Sequence, residues 1–122
     1  MNQITTQYVT EGGACYEQYV ITDPAAKTAL TITPERGGMI TGFTLDGDEY
    51  IWTRRPNFSE CNRPRFGVPV LFPSCGNPDG GVHLFDGKAY PMECHGFADL
   101  CAWEVESVGP DGVTLALEST PL

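Results

Sequence analysis

Glycine and proline interrupt this chain throughout its length and divide it into short segments. The sequence contains 14 glycines and 10 prolines, which are spread along the chain without forming a repeat. The segments between them are rich in Val, Ile, Thr and Tyr, and no window has the apolar periodicity of an amphipathic helix. This distribution predicts many turns between short strands.

Alternation of apolar and polar residues locates the strands. Residues 101–108 show it most clearly, with apolar and charged side chains in turn. Asp46-Gly47 and Asp86-Gly87 suit tight turns that require positive φ. The predicted hairpins pair residues 16–22 with 28–33, 39–45 with 50–52, 82–85 with 89–92, and 101–108 with 113–118. The fold class is therefore all-β and mostly antiparallel, in a sandwich or barrel arrangement.

The length of 122 residues fits one domain with its own core. Residues 1–14 are polar and end in Gly12-Gly13, which predicts a flexible or edge-pairing N-terminal segment, with a frayed tail preferred. Residues 15–122 form the predicted β-sandwich domain.

Net charge restricts the partners of this chain. Seven Lys and Arg residues against 16 Asp and Glu residues give a formal charge of −9. Such a surface repels phosphate backbones and anionic lipids, which argues against nucleic acid and membrane partners. No apolar run approaches the roughly 20 residues of a membrane span. A neutral small molecule such as a sugar remains compatible.

The five cysteines are odd in number and include no CxxC pair, and the first residues lack the features of a signal peptide. These features predict free thiols and a cytoplasmic location. We expect no metal and no cofactor, because the cysteines and histidines lack the paired spacing of zinc ligands. The residues considered for a metal are Cys75, His83, Cys94, His95 and Cys101.

Residues 62–97 concentrate groups that can hold a polar ligand, including both histidines of the chain. The Pro-bounded apolar run at residues 68–73 is awkward as a central strand because proline lacks a ladder donor, and it is better interpreted as a short strand or rim segment. The motifs in this stretch are RFGVPVLFP from Arg65, CGN from Cys75, DGK from Asp86 and HGFA from His95.

Together with PERGGMI from Pro34 and WEV from Trp103, these motifs resemble the aldose 1-epimerase group, the galactose mutarotase-like enzymes. The resemblance implies an antiparallel β-sandwich of the galactose mutarotase-like type. It covers most of this chain but only the first part of the family's domain, so we expect an incomplete sandwich. The implied activity is that of an isomerase that interconverts the α and β anomers of a hexose.

Four residues are the candidates for the site. The resemblance makes His95 the expected catalytic residue, since the family's HG histidine contacts the sugar near its ring oxygen and hydroxyls; the alternative is a structural histidine. Arg65 matches an arginine that contacts sugar hydroxyls, and its alternative is a loop-fixing pair with a carboxylate such as Glu60. Asn77 is a substrate-binding candidate or a turn former. Phe97 is a stacking candidate that shares a face with His95 if the segment is extended.

Two further residues of this stretch receive no role. The resemblance assigns nothing to His83, which we interpret as satisfied or exposed. Cys94 is rejected as a nucleophile for His95, because adjacent residues of a strand point to opposite faces.

The chemistry of mutarotation requires a general base at the C1 hydroxyl and a general acid at the ring oxygen. In the family these are a glutamate and a second histidine, both in the later part of the domain. This sequence ends before either, so we expect a sugar-contacting portion that is weak or inactive alone. Asp99 stands where relatives that act on hexose 6-phosphates have arginine, and this favours an unphosphorylated aldose.

Two alternatives to an isomerase remain open. One is a non-catalytic carbohydrate-binding β module that keeps Arg65, His95 and an aromatic platform. The other is a β interaction domain that needs neither residue. In each case, a terminal strand with an uncovered edge predicts that the chain can form a homo-oligomer.

Overall fold

The structure, a computed structural model, describes residues 1–52 and 66–118. This part of the chain contains nine strands and two single-turn 3-10 helices. The strands are β1 (Gln3–Glu11), β2 (Ala14–Asp23), β3 (Thr28–Thr33), β4 (Met39–Leu45), β5 (Asp48–Glu49), β6 (Val82–Phe85), β7 (Lys88–Pro91), β8 (Glu104–Val108) and β9 (Val113–Ala116).

Strands β1 to β5 form one antiparallel sheet in chain order. Its longest hairpin joins β1 to β2 through Gly12 and Gly13, whose φ values of 57° and 79° suit the two-residue turn that follows the twist of the strands. The preference for a frayed tail at residues 1–14 is therefore wrong, because Gln3–Glu11 pairs with β2 along its full length.

Two small hairpins complete the described fold: β6 with β7, and β8 with β9. The β8–β9 hairpin lies against the main sheet at Gly38, where an added Cβ would come within 3.3 Å of the Trp103 ring and 3.4 Å of Leu115. At its tip, Asp111 Oδ1 accepts a hydrogen bond from Asn2 Nδ2 at 3.3 Å. The predicted all-β, antiparallel, sandwich-like fold is confirmed. The described residues include no helix with the length and apolar character needed to cross a membrane.

The interior combines a small apolar cluster with a polar network. Met39 and Phe66 are buried, and Tyr16 packs against them. A chain of hydrogen bonds then crosses the sheet: Gln18 Nε2 donates to Thr33 Oγ1 at 3.0 Å, and Thr33 Oγ1 shares a 3.0 Å hydrogen bond with Thr41 Oγ1. Burying a polar group without a hydrogen-bond partner lowers the free energy of unfolding, so this network constrains the register of β2, β3 and β4.

The hairpin of residues 39–45 with 50–52 forms, but its second strand is shorter and earlier than predicted. β5 consists of Asp48 and Glu49, and the Glu49 carboxylate then accepts hydrogen bonds from the N–H groups of Phe43 and Ile51, both at 2.8 Å. The Glu49 side chain thereby takes the Phe43 N–H, which would otherwise continue the ladder, while the Tyr50 N–H still donates to the Phe43 carbonyl at 2.9 Å. The second strand therefore ends at Glu49.

The Pro-bounded run at residues 68–73 is a rim segment and not a strand, in agreement with its prolines. It makes two isolated bridges, from Val68 to Ile40 of β4 and from Phe72 to Gly96. The segment therefore connects the edge of the main sheet to the loop that carries His95.

Candidate functional site

A pocket of about 690 Å³ opens where three chain segments meet. Its volume falls within the range of small-molecule sites, roughly 300–1,000 Å³. Aromatic and aliphatic side chains form most of its wall, together with a few polar groups. The lining residues are Tyr50, Ile51, Trp52, Phe66, Gly67, Pro69, Leu71, Cys94, His95 and Asp99.

Backbone hydrogen bonds fix two of these segments together. Gly67 N–H donates to the Trp52 carbonyl at 3.0 Å, and Val68 exchanges hydrogen bonds of 2.8 and 3.1 Å with Ile40 of β4. Gly67 has φ of +71°, and an added Cβ would lie 2.7 Å from the Ile40 carbonyl oxygen. Glycine is therefore required for the rim segment to approach the sheet this closely.

His95 is held by a reciprocal pair of hydrogen bonds with Gly76. Its N–H donates to the Gly76 carbonyl at 2.8 Å, and its Nδ1 accepts the Gly76 N–H at 2.9 Å. Because Nδ1 is the acceptor, the neutral imidazole carries its proton on Nε2. His95 lines the pocket, and Nε2–H is the imidazole group that is left to donate a hydrogen bond.

The backbone at His95 explains why the segment is not a strand. His95 has φ of +68° and Gly96 φ of +76°, so the chain turns twice in succession. Positive φ is unfavourable for a residue with a Cβ, and here the two bonds to Gly76 stabilise it. The extended conformation on which two sequence arguments depended is therefore absent.

Phe97 is expected from the sequence to share a face with His95 only if the segment is extended. The turn removes the strand alternation that would place it on the same face as His95. Its ring instead packs edge-on against Phe72, with centroids 6.2 Å apart and an interplanar angle of 87°. Its N–H donates to the Phe72 carbonyl at 3.0 Å. Contact between Phe97 and a ligand stays a prediction, without the geometric support proposed for it.

Cys94 is rejected from the sequence as a nucleophile for His95 because adjacent residues of a strand point to opposite faces. That reason is wrong, since both residues belong to a turn and both line the pocket. Cys94 is half-buried. Its thiol is therefore a lining group that sequence reasoning discarded.

The remaining predicted residues lie elsewhere. Asn77 is exposed and follows Gly76, so the two hydrogen bonds between Gly76 and His95 bring its backbone near the site. Arg65 lies outside the described residues. Its neighbour in the sequence, Phe66, is buried and lines the pocket.

Asp99 is the polar lining residue that the site prediction omitted. Only 5% of its surface is exposed, and it belongs to the single-turn helix Ala98–Leu100. Its backbone packs on Gly37, where an added Cβ would lie 2.8 Å from the Asp99 carbonyl carbon. The Ala98 carbonyl accepts a 2.9 Å hydrogen bond from Trp103 Nε1. The WEV and PERGGMI motifs thus help to position the pocket, although they do not line it.

Tyr50 and Trp52 were also missed, since their sequence signal was that of a strand. Both have largely exposed side chains, 62% for Tyr50 and 67% for Trp52. Exposed aromatic rings beside a pocket are suited to stacking on an apolar ligand face. Within the described residues, no group of three or more His, Cys, Asp or Glu side chains could hold a metal ion.

The fold and the pocket together define an all-β polypeptide with a cleft of small-molecule size. Its structure is similar to that of the Slr1438 protein from Synechocystis sp. PCC 6803, with a TM-score of 0.68 and 32% sequence identity. The similarity covers 76% of this chain and 32% of that chain, so this chain spans about a third of the length of Slr1438. No family model matches the sequence, and no curated protein does.

Proposed function

We propose that the pocket around His95 binds an unphosphorylated hexose, and that the chain is the sugar-contacting part of an aldose 1-epimerase-like isomerase. The observation that carries the proposal is the placement of His95, with Nε2 as its donor, in one pocket with Asp99 and the exposed rings of Tyr50 and Trp52. A donor, an acceptor and an apolar platform are the groups that a neutral sugar ring requires.

Charge favours a neutral sugar over a phosphorylated one. Asp99 is a buried carboxylate in the pocket wall, and the whole chain carries a formal charge of −9. A net charge of this size disfavours the approach of a phosphate group. A carboxylate oxygen instead accepts hydrogen bonds from sugar hydroxyls, which are neutral, so no repulsion between like charges opposes the contact.

Catalysis would need a base at the C1 hydroxyl and an acid at the ring oxygen, both within hydrogen-bond reach. His95 Nε2 is suited to donate to the ring oxygen. The resemblance to the epimerases assigns the base, a glutamate, and the acid, a second histidine, to later parts of their domain. We therefore expect this chain alone to bind sugar and to accelerate anomer exchange weakly or not at all. The cytoplasmic location stays a prediction from the sequence.

A non-catalytic carbohydrate-binding module is the second candidate. The large exposed fractions of Tyr50 and Trp52 favour it, because exposed aromatic platforms are suited to holding a sugar without acid–base chemistry. The two candidates differ in one observable, which is whether bound sugar changes anomer faster than free sugar.

The experiment is exchange NMR on the purified chain with α/β-glucose and α/β-galactose, combined with titration of protein amide shifts. His95→Ala should weaken sugar binding about 10-fold, the effect of one lost hydrogen bond. His83→Ala is the matched control, because His83 lies in β6 opposite Tyr90 and outside the pocket lining. Equal binding by both variants and the unsubstituted chain, or absence of any sugar binding, would contradict the proposal. Tighter binding of glucose 6-phosphate than of glucose would contradict its charge argument.

A further inference from the structure

The free edge of the main sheet has the properties of a self-association surface. Among the described residues, β1 is the outermost strand and pairs on one side only. Proteins usually protect such edges with charged residues, proline, bulges or very short strands. β1 has nine residues and pairs with β2 in unbroken register, with no proline.

Charge is the most informative feature of this edge. The chain carries 23 charged residues and a formal charge of −9, yet Glu11 is the only charged residue of β1. The strand is otherwise Gln, Ile, Thr, Tyr and Val, which favour β structure or tolerate it. Little charge repulsion therefore opposes the pairing of this edge with another strand.

The hairpin turn determines which backbone groups of β1 face outward. A two-residue turn closes on a hydrogen-bonded pair, here Glu11 with Ala14, and hydrogen-bonded and non-hydrogen-bonded pairs then alternate along the ladder. The odd-numbered residues of β1 therefore direct their N–H and C=O groups to β2. The even-numbered residues direct theirs to the free edge, and they are Ile4, Thr6, Tyr8 and Thr10.

We propose that two copies of this chain pair antiparallel through β1, about a two-fold axis at Gln7, to join their five-stranded sheets. In this register, Thr6 faces Tyr8 of the second copy and Ile4 faces its Thr10, so every outward group finds a partner. About eight backbone hydrogen bonds result. Glu11 faces Gln3 of the second copy, which avoids a contact between like charges.

This inference does not depend on the sugar site. It also changes the location of the oligomer contact expected from the sequence, from the terminal strand to β1. The pairing requires no group beyond the strand itself, because a two-fold axis makes one edge complementary to itself.

Sedimentation velocity over a concentration series, with amide hydrogen exchange, tests the proposal. The unsubstituted chain should show a reversible monomer–dimer equilibrium. As the dimer forms, the amides of Ile4, Thr6, Tyr8 and Thr10 should become protected, whereas those of the odd residues of β1 should be protected at every concentration. A monomer at the highest soluble concentration would overturn the proposal. A dimer whose even-numbered amides still exchange rapidly would place the contact elsewhere and would overturn it too.

Thr6→Pro should weaken dimerisation about 30-fold, because the two-fold axis removes two hydrogen bonds at once. It should leave the β1–β2 pairing intact, since the Thr6 N–H faces outward. Thr6→Ala is the control that keeps this N–H and should dimerise normally. Gln7→Lys provides a second test with all N–H groups retained, because it places two like charges directly opposite each other. Gln7→Ala is its control, and dimerisation of Gln7→Lys equal to that of Gln7→Ala would refute the register.

Discussion

Replacing Gly96 by alanine should destabilise the chain through two separable effects. Gly96 has φ of +76°, a conformation that costs a residue with a Cβ about 1–2 kcal/mol. The added Cβ would also lie 2.5 Å from Pro73 Cδ and would overlap the Phe72 carbonyl oxygen. Overlap with surrounding atoms costs about 1–3 kcal/mol. The expected loss of unfolding free energy is therefore about 2–5 kcal/mol.

Gly80→Ala is the matched control for the backbone effect. Gly80 has φ of +66°, close to that of Gly96, and beyond its chain neighbours and its own turn no described atom lies within 4 Å of the position its Cβ would take. This substitution should cost only the conformational part, about 1–2 kcal/mol. The difference between the two variants, about 1–3 kcal/mol, measures the close approach of the Phe72–Pro73 backbone to the loop of His95.

Urea unfolding followed by tryptophan fluorescence gives both free energies, provided that the slopes of the transitions agree. The sugar titration gives a second readout, because displacement of Gly96 moves the adjacent His95. Gly96→Ala should weaken sugar binding, and Gly80→Ala should not. Equal destabilisation by the two substitutions would refute the reasoning, since it would mean that no close approach constrains position 96.

Two further predictions concern the main sheet. The pKa of Tyr19 is raised above its ordinary value of 10.0, first by a hydrogen bond with Glu17 and then by burial and the Glu17 charge. The resulting stabilisation is present below pH 10.0 and is lost as the pH rises through the folded-state pKa. The tyrosinate absorbance of Tyr19, measured as the difference between the unsubstituted chain and Tyr19→Phe, should have a titration midpoint above pH 10.0. Glu17→Gln should move this midpoint back toward 10.0, and a midpoint at or below 10.0 in the unsubstituted chain would contradict the prediction. Thr33→Val should lower the unfolding free energy by about 1–3 kcal/mol, because it removes the acceptor of Gln18 Nε2 from a fully buried position. Urea unfolding measures the change, and Thr114→Val of β9 is the control because Thr114 is exposed. Equal effects of Thr33→Val and Thr114→Val would argue against the network.

The strands were predictable because their signals are local. Alternation and turn residues located β2, β3, β4, β6 and β7 to within a few residues. β8 and β9 are shorter than predicted but begin and end inside the predicted segments. The error at β5 has a side-chain cause, since the Glu49 carboxylate accepts the Phe43 N–H that would otherwise continue the ladder. Strand propensity contains no information about such a competing acceptor.

The site was only partly predictable, for a different reason. A local motif selected His95, and the pocket contains it. The expectation that Phe97 shares a face with His95, and that Cys94 lies on the opposite face, was wrong in its premise, because the segment is not extended. Positive φ at His95 disfavours any residue with a Cβ, so local propensity could not indicate the turn.

The sequence alone determined the all-β class and the positions of most turns, because each depends on neighbouring residues. The tertiary structure alone decided that Tyr50, Trp52, Cys94 and Asp99 share one pocket. The physical reason is that the contacts responsible join distant parts of the chain, as Gly67 does with Trp52 and Gly76 with His95. Those contacts exist only after the sheet has formed and the rim segment has docked on it.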